Sequence, residues 1–204
     1  MPIIYGQVGA PSNTSAPDGS NQPILQGKSG EFIDSNLHGK YYTSAYRGKV
    51  YVATTLIAGV TLPVNTTTAP TYTVFNPASS GVNLELISLD IGWPAAATTV
   101  VATILGTLLF QTPTSTTAGN IYQMPYKGTT GGGQAQFYTA ATIVASTTHI
   151  PLLQVTSTAD AMTASHYDFD GRIVLAPGSG ITLTSTPVQT GVAMPLLVWA
   201  EYGI

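Results

Sequence analysis

From about residue 31 onward, Gly, Pro, Asn or Ser interrupts the chain at short intervals. The stretches between the breaks are rich in Val, Ile, Tyr and Thr. Such stretches suit a pleated surface, and none of them sustains the apolar period of a long helix. This punctuation constrains the fold most, because it leaves room for short strands and tight turns and for little else. Nine strands are expected, over 49–57, 71–75, 82–93, 100–110, 134–145, 150–155, 167–175, 180–185 and 192–202. Asp170-Gly171 and Pro177-Gly178-Ser179-Gly180 mark turns between them. Within 134–145 the Ala-rich end, 140–145, has a helical turn as its alternative. The fold class that follows is all-β, a β-sandwich with the jelly roll as its expected form. It forms a single domain over 31–204 preceded by an extended N-terminal arm over 1–30.

Three stretches carry more detailed expectations. In 82–93, Leu84 and Leu86 share one face while Ile87, Leu89 and Ile91 share the other. That change of face predicts a bulge near Leu86 or burial on both sides. The closing run 196–200 is apolar on both faces. It should be central in its sheet or face another subunit, with Trp199 at its middle. The Thr/Ser/Pro- and Gly-rich stretch 111–133 reads as a long loop with a short ordered piece around 121–126, and long loops of this kind are often contact surfaces. The arm has few apolar residues: Ile3, Ile4 and Tyr5, then Ile24 and Leu25. Either it is a disordered tail, or these residues anchor it on a neighbouring subunit.

Charge narrows the functional classes. Only 7% of residues are charged, six Lys+Arg against nine Asp+Glu, while 44% are apolar. Six cations spread over 204 residues cannot easily form a phosphate-binding face, so a nucleic-acid partner is not expected. The apolar content argues against ordinary disorder. Cysteine is absent, which excludes disulfides and thiolate chemistry. The first residues have neither a basic stretch nor a long apolar run, so no signal peptide is expected. The most apolar window, 100–110, is too short to cross a bilayer as a helix, so no membrane partner is expected either.

Chemistry is sparse. His166, Asp168 and Asp170 alternate along a predicted strand and would share one face, where imidazole and carboxylates could ligate a metal. The second His of a jelly-roll iron site should follow this pair in sequence. Here His149 precedes it, so the same stretch reads better as a strand with Tyr167 and Phe169 inward. Glu85 and Asp90 could serve as acid and base. At a spacing of five they face opposite sides of a regular strand, and solvent exposure or ion pairs with Arg47 or Arg172 account for them. Gly131–Gly133 lacks the Lys-Ser/Thr of a phosphate loop. No cofactor is expected. Tyr41, Tyr42, Tyr46 and Tyr51 lie near Lys40, Arg47 and Lys49, a composition found at contact surfaces. Such a cluster could bind sugar, a partner or an acidic neighbour, or could simply pack its tyrosines where the chain enters a strand.

Three groups of residues also carry a family likeness. They are Gln26-Gly27-Lys28-Ser29-Gly30-Glu31 with His38-Gly39-Lys40-Tyr41-Tyr42 and Arg47-Gly48-Lys49-Val50-Tyr51-Val52-Ala53; Asn76-Pro77 with Gly81-Val82-Asn83-Leu84-Glu85-Leu86; and Leu175-Ala176-Pro177-Gly178 with Leu197-Val198-Trp199-Ala200-Glu201-Tyr202. The pattern resembles that of uncharacterised tailed-bacteriophage virion structural proteins, over most of 26–204. The resemblance implies an all-β structural protein, and its motifs are structural rather than catalytic. The function expected is therefore that of a non-enzymatic virion protein that self-assembles and decorates or stabilises a phage capsid. Its partners would be copies of itself, as a trimer, and a major capsid protein. Three alternatives stay open: a jelly-roll capsid shell protein, a receptor- or glycan-binding sandwich of a tail or surface appendage, and a jelly-roll enzyme using His166, Asp168 and His149.

Overall fold

The computed structural model describes residues 40–41, 44–45, 47–55, 59–93, 100–124, 132–157, 163–187 and 191–204. The chain divides into two units, Met1–Arg47 and Gly48–Ile204. In the first, the Ala45 amide donates to the Tyr41 carbonyl in a helical turn, and Lys40 Nζ lies 5.1 Å from the centre of the Tyr41 ring. The arm, with Ile3, Ile4, Tyr5, Ile24 and Leu25, lies outside the described residues, as do Tyr42 and Tyr46.

The described residues of the second unit form twelve strands: β1 (Val50–Thr54), β2 (Thr73–Phe75), β3 (Val82–Trp93), β4 (Val100–Leu109), β5 (Thr114–Ala118), β6 (Ile121–Met124), β7 (Gln136–Thr142), β8 (His149–Ser157), β9 (Thr163–Asp168), β10 (Val174–Leu175), β11 (Gly180–Thr186) and β12 (Met194–Gly203). They form two antiparallel sheets packed as an all-β sandwich. One runs β10-β3-β12-β1-β6, with β9 also on β3, and the other β5-β7-β2-β11-β4-β8. The three strands beyond the nine expected are β5 and β6, inside the stretch read as a loop, and β10, which the Asp170-Gly171 turn separates from β9. Asp170 and Gly171 have φ of 49° and 73°, the left-handed pair that an Asp-Gly turn provides. The Ala-rich end forms no helix: residues 140–142 continue β7 and pair with β5, and 143–145 leave the strand.

The pairings nest. β1 lies on β12, β2 on β11, β3 on β9 and β10, and β4 on β8. β3 also pairs with β12, and β4 with β11, which completes each sheet. The β5–β7 insertion adds β6 to the outer side of β1, and adds β7 and then β5 to the outer side of β2. β12 is therefore central in its sheet.

The sequence pattern explains the core. In β3 the register shifts against β12, with Leu86 opposite Trp199 and Ser88 opposite Val198. Ile87 is the extra residue of a bulge, which puts Leu84, Leu86, Leu89, Ile91 and Trp93 into one inward set. Val74, Ile104, Phe137, Ile181 and Leu183 meet them from the other sheet. Each such side chain contributes about 1.5–3 kcal/mol when fully buried. Trp199 is fully buried in this core and stacks on Tyr51 with ring centres 6.2 Å apart. Of the two places expected for it, it takes the sandwich interior, so its ring is not available to a subunit contact.

Polar ties join the layers. Tyr72, just before β2, donates its hydroxyl to the Ala53 carbonyl at 2.8 Å and accepts the Leu197 amide at 3.1 Å. It thereby links the second sheet to β1 and β12 of the first. Burial pushes this phenol well above its ordinary range. The Asn76 amide donates to the carbonyls of Val82 and Leu175, which fixes the Asn76-Pro77 turn against β3 and β10. Among the described residues no helix is long and apolar enough to cross a membrane.

Candidate functional site

His166 and Asp168 lie on β9, as the alternation predicts, and both are exposed. The side chain that meets His166 comes from β3: His166 Nδ1 is 2.7 Å from Asp90 Oδ1, across a directly paired position. Asp168 Oδ1 accepts the Asp170 amide at 2.9 Å and so closes the turn. Arg172 donates to the carbonyls of Phe169 and Asp168, and its guanidinium sits 5.9 Å from the Tyr167 ring centre. Asp90, expected to be solvent-exposed or paired with Arg47 or Arg172, is partly exposed and partnered by His166. His149 belongs to the other sheet, where its Nδ1 is 2.9 Å from Thr107 Oγ1. Among the described residues no three His, Asp or Glu side chains gather to hold a metal ion. Glu85 and Asp90 are not on opposite faces: the Ile87 bulge adds one residue and returns both to the outer face, opposite Ala200 and Leu196.

The tyrosine cluster also divides. Tyr51 is buried and points inward against Trp199, so it serves the core rather than a contact surface. Tyr41 and Arg47 belong to the first unit, Tyr41 half-buried and Arg47 exposed.

The most organised polar site is one that sequence reasoning did not single out. Glu201 on β12 is only 7% exposed. Its Oε2 accepts the Gln134 amide at 2.8 Å, and its Oε1 accepts the Ala135 amide at 3.1 Å and the Trp199 indole N–H at 3.2 Å. Tyr51 adds a hydroxyl contact to the Gly132 carbonyl at 3.3 Å. Burial, and then the Glu201 charge, hold the Tyr51 phenol above its ordinary range. A buried carboxylate is stable only with donors of this kind. Glu201 thus fastens the segment leading into β7 onto the closing strand. The available signal was the Trp199-x-Glu201 spacing, which puts the carboxylate on the inward side with the indole.

Charge is segregated between the sheets. The strands of the first carry Glu85, Asp90, Asp168 and Glu201, and those of the second carry no Asp, Glu, Lys or Arg at all. The second sheet uses hydroxyls instead. Thr73 Oγ1 donates to Thr182 Oγ1 at 3.1 Å, Thr182 Oγ1 to the Tyr72 carbonyl at 2.7 Å, and Thr107 Oγ1 lies 2.9 Å from Thr184 Oγ1. Phe110 and Val144, 67% and 64% exposed, line one hollow with Leu108, Gln111 and Ser146, and every residue of β5 is exposed.

No family model matches this chain, and no curated protein or solved structure matches it either.

Proposed function

We propose that the sandwich is a jelly roll, and that the protein is a non-enzymatic structural subunit of a tailed-phage virion. It assembles with copies of itself, as a trimer, and decorates or stabilises the capsid built by a major capsid protein. The nested strand pairs support the fold reading: four antiparallel pairs in succession are one long hairpin, rolled up into two sheets. Fold alone does not assign a role. The observation that carries the assembly reading is the segregation of charge. The central threonines of this uncharged sheet are already buried within the chain, but at one end the exposed Phe110 and Val144 gather with Leu108, Thr147 and Thr148, a surface with the composition of one to be covered by another subunit. Closed symmetry is the usual outcome of such contacts. The virion is the particle that the sequence resemblance implies.

The test is fractionation of intact particles released by cells that encode the chain, followed by mass spectrometry. The expected result is the chain in the particle band at many copies per particle. Its absence from particles while it is abundant in the cells overturns the reading.

A further inference from the structure

The side of the sandwich where β6 edges one sheet and β5, next to β7, edges the other holds a concave groove of about 490 Å³. One wall is the crossing from β5 to β6 through Gly119 and Asn120, and the other is the segment from Gly133 to Tyr138. The Gly119 amide donates to the Phe137 carbonyl at 2.8 Å. A Cβ at this position would collide with the Phe137 ring, so only glycine lets the crossing lie against it. The opposite wall is held from behind by Glu201 through the amides of Gln134 and Ala135.

We infer that this groove is a binding site for a neutral oligosaccharide. Its volume falls within the roughly 300–1,000 Å³ of small-ligand clefts. Among the described residues no Asp, Glu, Lys or Arg lines it, so these walls offer a charged ligand no counter-charge. Its polar rim consists of Thr116, Asn120 and Gln136, all exposed, over an apolar floor of Ile121, Ala135 and Phe137. The Tyr138 hydroxyl donates to Gln136 Oε1, which orients that amide with its N–H groups available. A wholly apolar ligand would leave these amides unpaired when it covered them, whereas hydroxyl groups pair with them. A peptide adding as a strand needs free backbone donors. Here the Gln134 and Ala135 amides are already on Glu201, and the Gly119 amide is on Phe137. Along this wall the donors that face a ligand are therefore side chains, which suits a neutral, hydroxyl-rich ligand, and a peptide strand added at the edge of β5 or β6 is the competing outcome of the test.

The experiment is an NMR titration of the full chain with maltotriose, cellotriose and triacetylchitotriose at millimolar concentrations, repeated with Asn120→Ala and Gln136→Ala. Both positions are exposed, so an unchanged melting temperature verifies that the variants fold. The expected result is saturable shifts at the Asn120 and Gln136 side-chain amides with at least one sugar, and about tenfold weaker binding in each variant, the equivalent of one lost hydrogen bond. Three results overturn the inference: no response to any of the three sugars, binding that both variants retain in full, or a neutral Gly/Ser/Asn peptide binding at this groove in place of the sugars.

Discussion

The two sheets solve the same problem with different chemistry. Both have a strand buried on two faces, β1 in one and β11 in the other. The first sheet handles its inward polar group as a carboxylate, and Glu201 is tolerated because three N–H donors converge on it. The second handles its polar groups as threonine hydroxyls that bond laterally from strand to strand, with His149 at the end of the Thr107–Thr184 chain. A hydroxyl is both donor and acceptor, so neighbours of one kind can satisfy each other without burying a charge. The carboxylate accepts only, and two of its three donors must be brought from a distant segment. One sheet therefore fastens a remote part of the chain, and the other remains uncharged.

Substitutions should reproduce this contrast, read by denaturant unfolding. The largest effect belongs to Trp199→Ala, which empties the core beneath the first sheet and should cost about 3–5 kcal/mol. Glu201→Ala comes next. It leaves the Gln134 and Ala135 amides and the Trp199 indole without their acceptor, at an expected cost of about 3 kcal/mol. Thr184→Val removes one lateral hydroxyl bond while Thr107 keeps His149, so about 1 kcal/mol should be lost. A cost for Thr184→Val equal to that for Glu201→Ala would break the comparison, because the hydroxyl chain would then be as cooperative as the carboxylate clamp. The smallest effect is that of Asp90→Asn. Asp90 and His166 have side chains 48% and 59% exposed, so their pairing should contribute below about 1 kcal/mol and fade as salt rises. A larger, salt-insensitive loss would show that the outer face of the first sheet is more protected than its exposure indicates.

Much of the fold was legible because burial writes a pattern into a strand. β3 could be read from end to end, and its change of face announced the Ile87 bulge. The implication that the bulge realigns Glu85 with Asp90 was also present, but a regular-strand count conceals it. β5 was illegible for the opposite reason. All five of its residues are exposed, so Thr-Ser-Thr-Thr-Ala carries no apolar alternation to read. The site residues were hardest, since their partners are remote in sequence. Asp90 and His166 are 76 positions apart, and Glu201 reaches Ala135 across 66. Local spacing could place Glu201 beside Trp199, but it could not supply the two backbone donors that make its burial possible.

The central claim is that the uncharged end of the second sheet, around Phe110 and Val144, is covered by other copies of the chain. Sedimentation velocity of the purified full chain, over a concentration series and across a salt range that screens exposed charge pairs, tests it most directly. The account predicts a discrete oligomer, a trimer, that persists as salt rises, because its contacts are apolar and Thr-rich rather than ionic. A monomer at every concentration and salt, or an oligomer that dissociates as salt rises, would contradict it.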